Sequence, residues 1–205
     1  MIKYILAALA VGVAAGYVVN NSSIDFLKSI VTDYTFNTAL YLLLFVMGLS
    51  FGTDKQALAK LKTTGIKVLV VPALIVLGSL LGGLVAGLIF RLDLFGSMAV
   101  TAGYGWYTLT GPLLTQILGT EWGALGFAAN FLRELLTIVT ITLLVKLDNY
   151  APIASGGATT MDTTLPLIVR YCGSEALITA FSSGFILSLI APLTVAAIAS
   201  LAAVA

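Results

Sequence analysis

Apolar runs long enough to cross a lipid bilayer, separated by short polar stretches, set the pattern of this chain. A spanning helix needs about 20 mostly apolar residues, since each adds about 1.5 Å toward a hydrocarbon core of about 30 Å. Six runs fit, the second somewhat short: Ile2–Val19, Phe36–Phe51, Gly65–Phe90, Ser97–Leu118, Ala124–Leu147 and Ala176–Val204. Between the last two lies Gly156–Arg170, polar first and then apolar, too short to cross as one straight helix. Lys3 precedes the first run, as in a signal peptide. However, the Asn20-Asn21-Ser22-Ser23 that follows is no small-x-small cleavage site, so the run is read as a retained span. The pattern predicts an all-α polytopic integral membrane protein in one transmembrane domain over residues 1–205. Its expected content is roughly six membrane-spanning helices, some broken by Gly or Pro, plus one re-entrant or irregular segment.

Composition makes the solvent unambiguous. Of 205 residues, 60% are hydrophobic and only 9% charged, whereas soluble domains carry about 25% charged residues. A net charge of only +1 argues against nucleic acid as a partner. The absence of histidine and the single cysteine, Cys172, remove the usual zinc ligands and the usual base for a nucleophile. Neither a metal, a cofactor nor an enzymatic activity is expected. Gly48-Leu49-Ser50-Phe51-Gly52 fits the G-x-S-x-G pattern, but it ends a membrane helix and lacks the strand–turn–helix context that pattern needs.

Lysine placement orients the chain. Lys55, Lys60, Lys62 and Lys67 crowd one connection, which is expected in the cytoplasm together with the N-terminus and Lys3. Lys28 and Arg91 fall on the opposite side, and the side of the C-terminus depends on the irregular segment. Small-xxx-small pairs at Gly12/Gly16, Gly78/Gly82 and Gly83/Gly87 suit close helix packing, within the chain or across a dimer seam.

Ionisable groups at membrane depth cost about 2.5–3.5 kcal/mol each on insertion scales and need a reason to be there. Glu134 sits near the middle of the fifth run, with Asn130 one turn before it on the same face. Arg133 points about 100° away from Glu134. It is a candidate for a structural ion pair that fixes helix register; the alternative reading of Glu134 is a transport or proton site. Asp162 lies in Gly157-Ala158-Thr159-Thr160-Met161-Asp162-Thr163-Thr164-Leu165-Pro166, either a cavity-lining irregular stretch or an exposed loop with Asp162 as a helix N-cap. Gly103-Tyr104-Gly105-Trp106-Tyr107-Thr108-Leu109-Thr110-Gly111-Pro112 interrupts the fourth run. Its aromatic residues are either pocket walls or interfacial anchors. Both stretches begin with Gly, carry threonines and end in Pro over the same length. Such paired interruptions point to the binding site of a secondary transporter built from broken helices.

These motifs, with Leu42-Leu43-Leu44-Phe45-Val46-Met47-Gly48-Leu49, Arg133-Glu134-Leu135 and Gly184-Phe185-Ile186-Leu187-Ser188-Leu189, occur in an order that resembles the prokaryotic lysine exporters of the LysO type. The resemblance implies an inner-membrane exporter that moves L-lysine, and its analogue thialysine, outward in exchange for protons. It also implies that Glu134 matches a buried acid used for coupling and that Asp162 matches the aspartate of the Gly-Ala-Thr motif. Full-length members carry a further N-terminal membrane segment with its own buried acid. A separate small membrane subunit or homodimerisation is therefore expected to supply that part.

The site expected from these readings comprises Glu134, Asp162, Asn130, Thr108, Thr110, Thr159, Thr160, Thr163 and Thr164. Carboxylates and threonine oxygens would receive the substrate ammonium groups, and half-helix N-termini after Gly105 or Gly157 would receive its carboxylate. Burial penalises a charged carboxylate, so a proton and an ammonium group would compete for Glu134. Two other readings stay open: a structural subunit without a substrate path, and a sodium-coupled amino-acid transporter.

Overall fold

The computed structural model describes residues 2–21, nine positions between 34 and 53, and residues 69–204. The second apolar run, the Gly48–Gly52 motif and the lysine cluster at 55–67 lie largely or wholly outside the described residues. The described part is helical. Helix α1, Ile2–Asn21, covers the first predicted span and forms part of a unit of its own. The other helices belong to the second unit: α2 (Val70–Phe90), α3 (Leu94–Thr101), α4 (Tyr107–Leu118), α5 (Thr120–Leu147), α6 (Ala151–Gly156), α7 (Leu165–Cys172) and α8 (Ala176–Ala202). Three of these, α2, α5 and α8, are long and apolar enough to cross a membrane.

The predicted span Ser97–Leu118 is corrected by the structure. It is two short helices, α3 and α4, separated by a turn at residues 102–106. Their packing against α5 shows that the chain goes in and comes back. A Cβ added to Gly96, near the start of α3, would stand 2.6 Å from the Trp122 ring. Gly123, the next residue on α5, packs against Thr115 near the end of α4. Both ends of the pair are therefore level with the start of α5, while the turn between them is level with Asn130, whose Oδ1 accepts the Gly105 N–H at 2.7 Å. A straight span would put residues 96 and 115 at opposite depths, roughly 28 Å apart at 1.5 Å per residue. The geometry is a re-entrant hairpin. The reversal is local: Tyr104 and Gly105 both adopt left-handed φ values, 51° and 104°, a region that side chains other than Gly visit rarely.

The irregular segment behaves in the same way from the other end of α5. Helix α6 leads down from Tyr150, a 3₁₀ turn over Gly157–Met161 reverses the chain, and α7 returns. Ile153 on α6 and Ile168 on α7 both pack with Ile141 of α5 and Ala180 of α8. The descending and returning limbs are thus level with the C-terminal part of α5. The unit reads as two copies of one motif, a long helix followed by a re-entrant hairpin, entering from opposite faces and closed by α8. Inverted repeats of this kind place a site where the two halves meet.

Small residues serve this packing selectively. Gly83 and Gly87 let α3 approach α2 at Ser97 and Leu94, as the spacing suggested. Gly12, Gly16, Gly78 and Gly82 meet no atom within 4 Å among the described residues.

Among the described residues after the lysine-rich connection, three helices, α2, α5 and α8, are long and apolar enough to cross, an odd number. Reporter fusions at that connection and after the C-terminus are therefore expected to report opposite faces. Both reporting the same face would show that Ser97–Leu118 spans after all.

Candidate functional site

The two hairpin tips touch. The Ala158 N–H of the second donates to the Tyr104 carbonyl of the first at 2.8 Å. Gly157, at φ 63°, lies so close to Tyr104 that an added Cβ would collide with its carbonyl oxygen. Only glycine permits this approach. The contact joins the two Gly-to-Pro stretches that the sequence set side by side. Their prolines differ in place: Pro166 falls in the first turn of α7, where no N–H is missed, while Pro112 lies inside α4 and leaves the Thr108 carbonyl without its helical donor.

Asn130 clamps the first tip. Its Oδ1 accepts from Gly105, and its Nδ2 donates to the Val100 and Gly126 carbonyls, each at 2.8 Å. Three hydrogen bonds leave this buried amide little capacity for a ligand. Thr110 is buried and donates to the Trp106 carbonyl at 2.7 Å. Thr160 is buried and placed to donate to Gly157 and Ala180 carbonyls, tying the second tip to α8. Thr159 donates to the Gly156 carbonyl and sits 3.3 Å from the Thr164 hydroxyl. These side chains brace the tips. Thr108, by contrast, is exposed and accepts the Trp106 indole N–H at 3.0 Å.

Arg133 and Glu134 part company, as their helical spacing requires. The Arg133 guanidinium donates to the Ser155 carbonyl (2.8 Å), the Ala154 carbonyl (2.9 Å) and the Ser79 hydroxyl (2.9 Å). It thereby caps the C-terminal carbonyls of α6, where a cation also meets the negative end of the helix dipole. Thr137, one turn on, meets the Ser155 hydroxyl at 2.7 Å. Neither Glu134 nor any other acid among the described residues is its ion-pair partner, so the ion pair expected of Arg133 is replaced by neutral acceptors. Ser79, Thr137 and Ser155 were missed in the sequence; a lone serine between Gly78 and Gly82 was the available signal.

Glu134 is 8% exposed, and its Oε2 has no hydrogen-bond partner among the described residues. The Tyr107 side chain lies beside it, within electrostatic reach of both Glu134 and Asp162. Asp162 is exposed at the second tip, its Oδ1 accepting the Thr163 N–H at 2.6 Å. It is not the N-cap of α7, a position taken by Thr164. Thr163 is exposed beside it. Tyr107 also meets Phe127 and Phe131 edge to face, with centroids 5.3 and 5.5 Å away. Two carboxyl groups, a phenol and aromatic faces thus gather on one side of the tip contact, a set of groups suited to a cation. On the Arg133 side, a separate cavity of about 1040 Å³ is lined by residues of α2, α5 and α6, among them Arg133, Asn130 and Ser79, with Asp148 and Tyr150 just past the end of α5.

Opposed re-entrant hairpins meeting beside a buried carboxyl group, one oxygen of which has no partner among the described residues, are the architecture of a polytopic membrane protein of the secondary-transporter class. The sequence signature of the family described as Lysine exporter LysO matches residues 6–199, and the chain belongs to that family of transporters. It is 33% identical to the lysine exporter LysO of Escherichia coli (strain K12) over 186 residues, 90% of this chain and 60% of that protein. It is 32% identical to a putative lysine exporter of Haemophilus influenzae over 125 residues, 61% of this chain and 64% of that one. The chain therefore spans about three fifths of the length of the curated relatives it matches. No solved structure matches it.

Replacing Asn130 by Ala strands the Gly105 N–H and the Val100 carbonyl. Each unpaired buried group costs about 1–3 kcal/mol, so Asn130→Ala is expected to unfold at a clearly lower temperature in detergent. An unchanged melting temperature would remove Asn130 as the clamp.

Proposed function

We propose that this chain forms the transport core of an inner-membrane exporter of L-lysine and analogues such as thialysine, working in exchange for protons. The observation that carries the reading is Glu134: an enclosed carboxyl group, free of Arg133, at the junction of two hairpins. A carboxylate so placed is costly when charged and alone. It is stabilised either by a proton or by an ammonium group, and the two exclude one another. Exchange follows from that competition. Protonation from one side releases the cationic substrate, and deprotonation facing the other side readies the site.

Asp162 and Tyr107 complete the cation side in this reading. The carboxylate at the second tip adds attraction for a dibasic solute. The Tyr107 hydroxyl orients the Glu134 carboxyl, and its ring, with Phe127 and Phe131, offers faces to a methylene chain or an ammonium group. The lysine-rich connection before α2 is assigned to the cytoplasm. Lys146 and Arg170, at the ends of α5 and α7, fall on that same face of the described unit, which supports the assignment. The remaining length of the relatives would be supplied by a separate small membrane subunit or by a second copy of this chain.

Counterflow in liposomes tests the reading. The wild-type chain, with any partner required, is expected to take up protons as lysine leaves, and replacing sodium is expected to change nothing. Glu134→Gln is expected to abolish the coupled flux. Tyr107→Phe removes one hydrogen bond worth roughly 0.5–1.5 kcal/mol and is expected to slow it about 2–10-fold. Normal exchange by Glu134→Gln would overturn the mechanism.

A further inference from the structure

The Arg133 side of the tip contact has no role in the cation chemistry above, yet it holds a fixed positive charge at membrane depth. Three neutral acceptors orient the guanidinium without neutralising it. A guanidinium has five N–H groups, so one remains on each terminal nitrogen. Arg133 is partly exposed and lines the cavity of about 1040 Å³, at the upper end of the volumes typical of ligand sites. Its position is rigid, because Ala154 and Ser155 belong to the descending limb of the second hairpin and Ser79 to α2. A partly solvated guanidinium held by its neighbours and keeping two spare donors matches an oxyanion, a carboxylate or a phosphate.

The rest of the cavity narrows the choice of anion. Asp148 lies on its wall fifteen residues further along α5, roughly 22 Å toward the end of the helix. The Asp148 carboxylate on the same wall disfavours a solute whose only charge is negative, whereas a solute that also carries an ammonium group meets no such penalty. The other polar groups on its wall are sparse: Ser79, Thr101, Asn130, Tyr150 and Thr179 among mainly aliphatic neighbours. Glu134 does not line this cavity. The hairpin tips lie against Arg133: a Cβ on Gly157 would stand 3.1 Å from its Nη2, and one on Gly105 3.8 Å from its Cδ.

We propose that Arg133 binds the α-carboxylate of the transported amino acid where it lines this cavity beside the hairpin tips, so that the substrate is recognised by its acid end at Arg133 and by its ammonium end at Glu134. The proposal rests on the amino-acid exporter reading. It makes the substrate's carboxylate a requirement.

Calorimetry on the purified full chain in lipid nanodiscs, with lysine, lysine amide and cadaverine (lysine without its carboxylate), tests it. The wild type is expected to bind lysine about tenfold or more tightly than either analogue, the discrimination of one charge-assisted pair. In Arg133→Gln, lysine is expected to fall to the level of cadaverine while cadaverine binding stays within about twofold. Equal weakening of lysine and cadaverine would mark Arg133 as a structural staple and overturn the proposal. Should Arg133→Gln fail to fold, the wild-type preference decides alone, and equal affinity for lysine and its amide overturns it. Wild-type protein that binds cadaverine and lysine alike keeps the exporter reading and sinks only this proposal; binding of neither sinks both.

Discussion

A peptide group that finds no partner in lipid must find one in protein, and that requirement organises the centre of this molecule. Two hairpins bring non-helical backbone to mid-depth, where each exposed amide or carbonyl left alone would cost several kcal/mol. They meet the requirement largely through each other and through α5. Ala158 donates to Tyr104, Asn130 takes Gly105 and Val100, and Arg133 takes the last carbonyls of α6. The polar residues that look functional in a membrane sequence are, in good part, the solvent for this irregular backbone.

Two adjacent residues then divide the work. The 100° step between positions 133 and 134 sends the cation to the second hairpin and α2, and the acid toward Tyr107 on the first. Direct pairing would have satisfied both charges and silenced both. Separated, each keeps something in reserve: Glu134 an unpartnered oxygen, Arg133 two N–H groups. Ser79, Ala154 and Ser155 accept from the guanidinium and hold it on its own side of α5.

The long spans were legible because twenty consecutive apolar residues have few other uses: α1, α2, α5 and α8 fall where hydropathy put them. Both breaks were legible as well, since Gly and Pro cannot hide inside a helix. What hydropathy could not reveal was direction. Ser97–Leu118 has the apolar length of a span, and the reversal at Tyr104–Gly105 depends on two left-handed residues that leave no mark on a hydropathy profile. The site was read in its members more than in its roles. Glu134 stood out because a charge in an apolar run needs explaining, and Tyr107 because aromatic residues crowd the break. Asn130, Thr110 and Thr160 stood out for the same reason, but their hydrogen bonds go to backbone that only the folded chain brings near. Phe127 and Phe131 gave no signal at all among so many apolar neighbours.

The re-entrant limbs also constrain how the protein is made. A long apolar helix can enter the bilayer singly, its peptide groups satisfied within itself. An eight-residue limb such as α3, or the six-residue α6, ends at mid-depth with carbonyls that find partners on α5, on α8 and on the opposite hairpin. Neither limb has a stable resting place until those partners are in position. Biogenesis must therefore run in two stages, insertion of the long helices followed by folding-in of the hairpins. The second limb packs against α8, which is made after it, and so settles later than the helices that precede it.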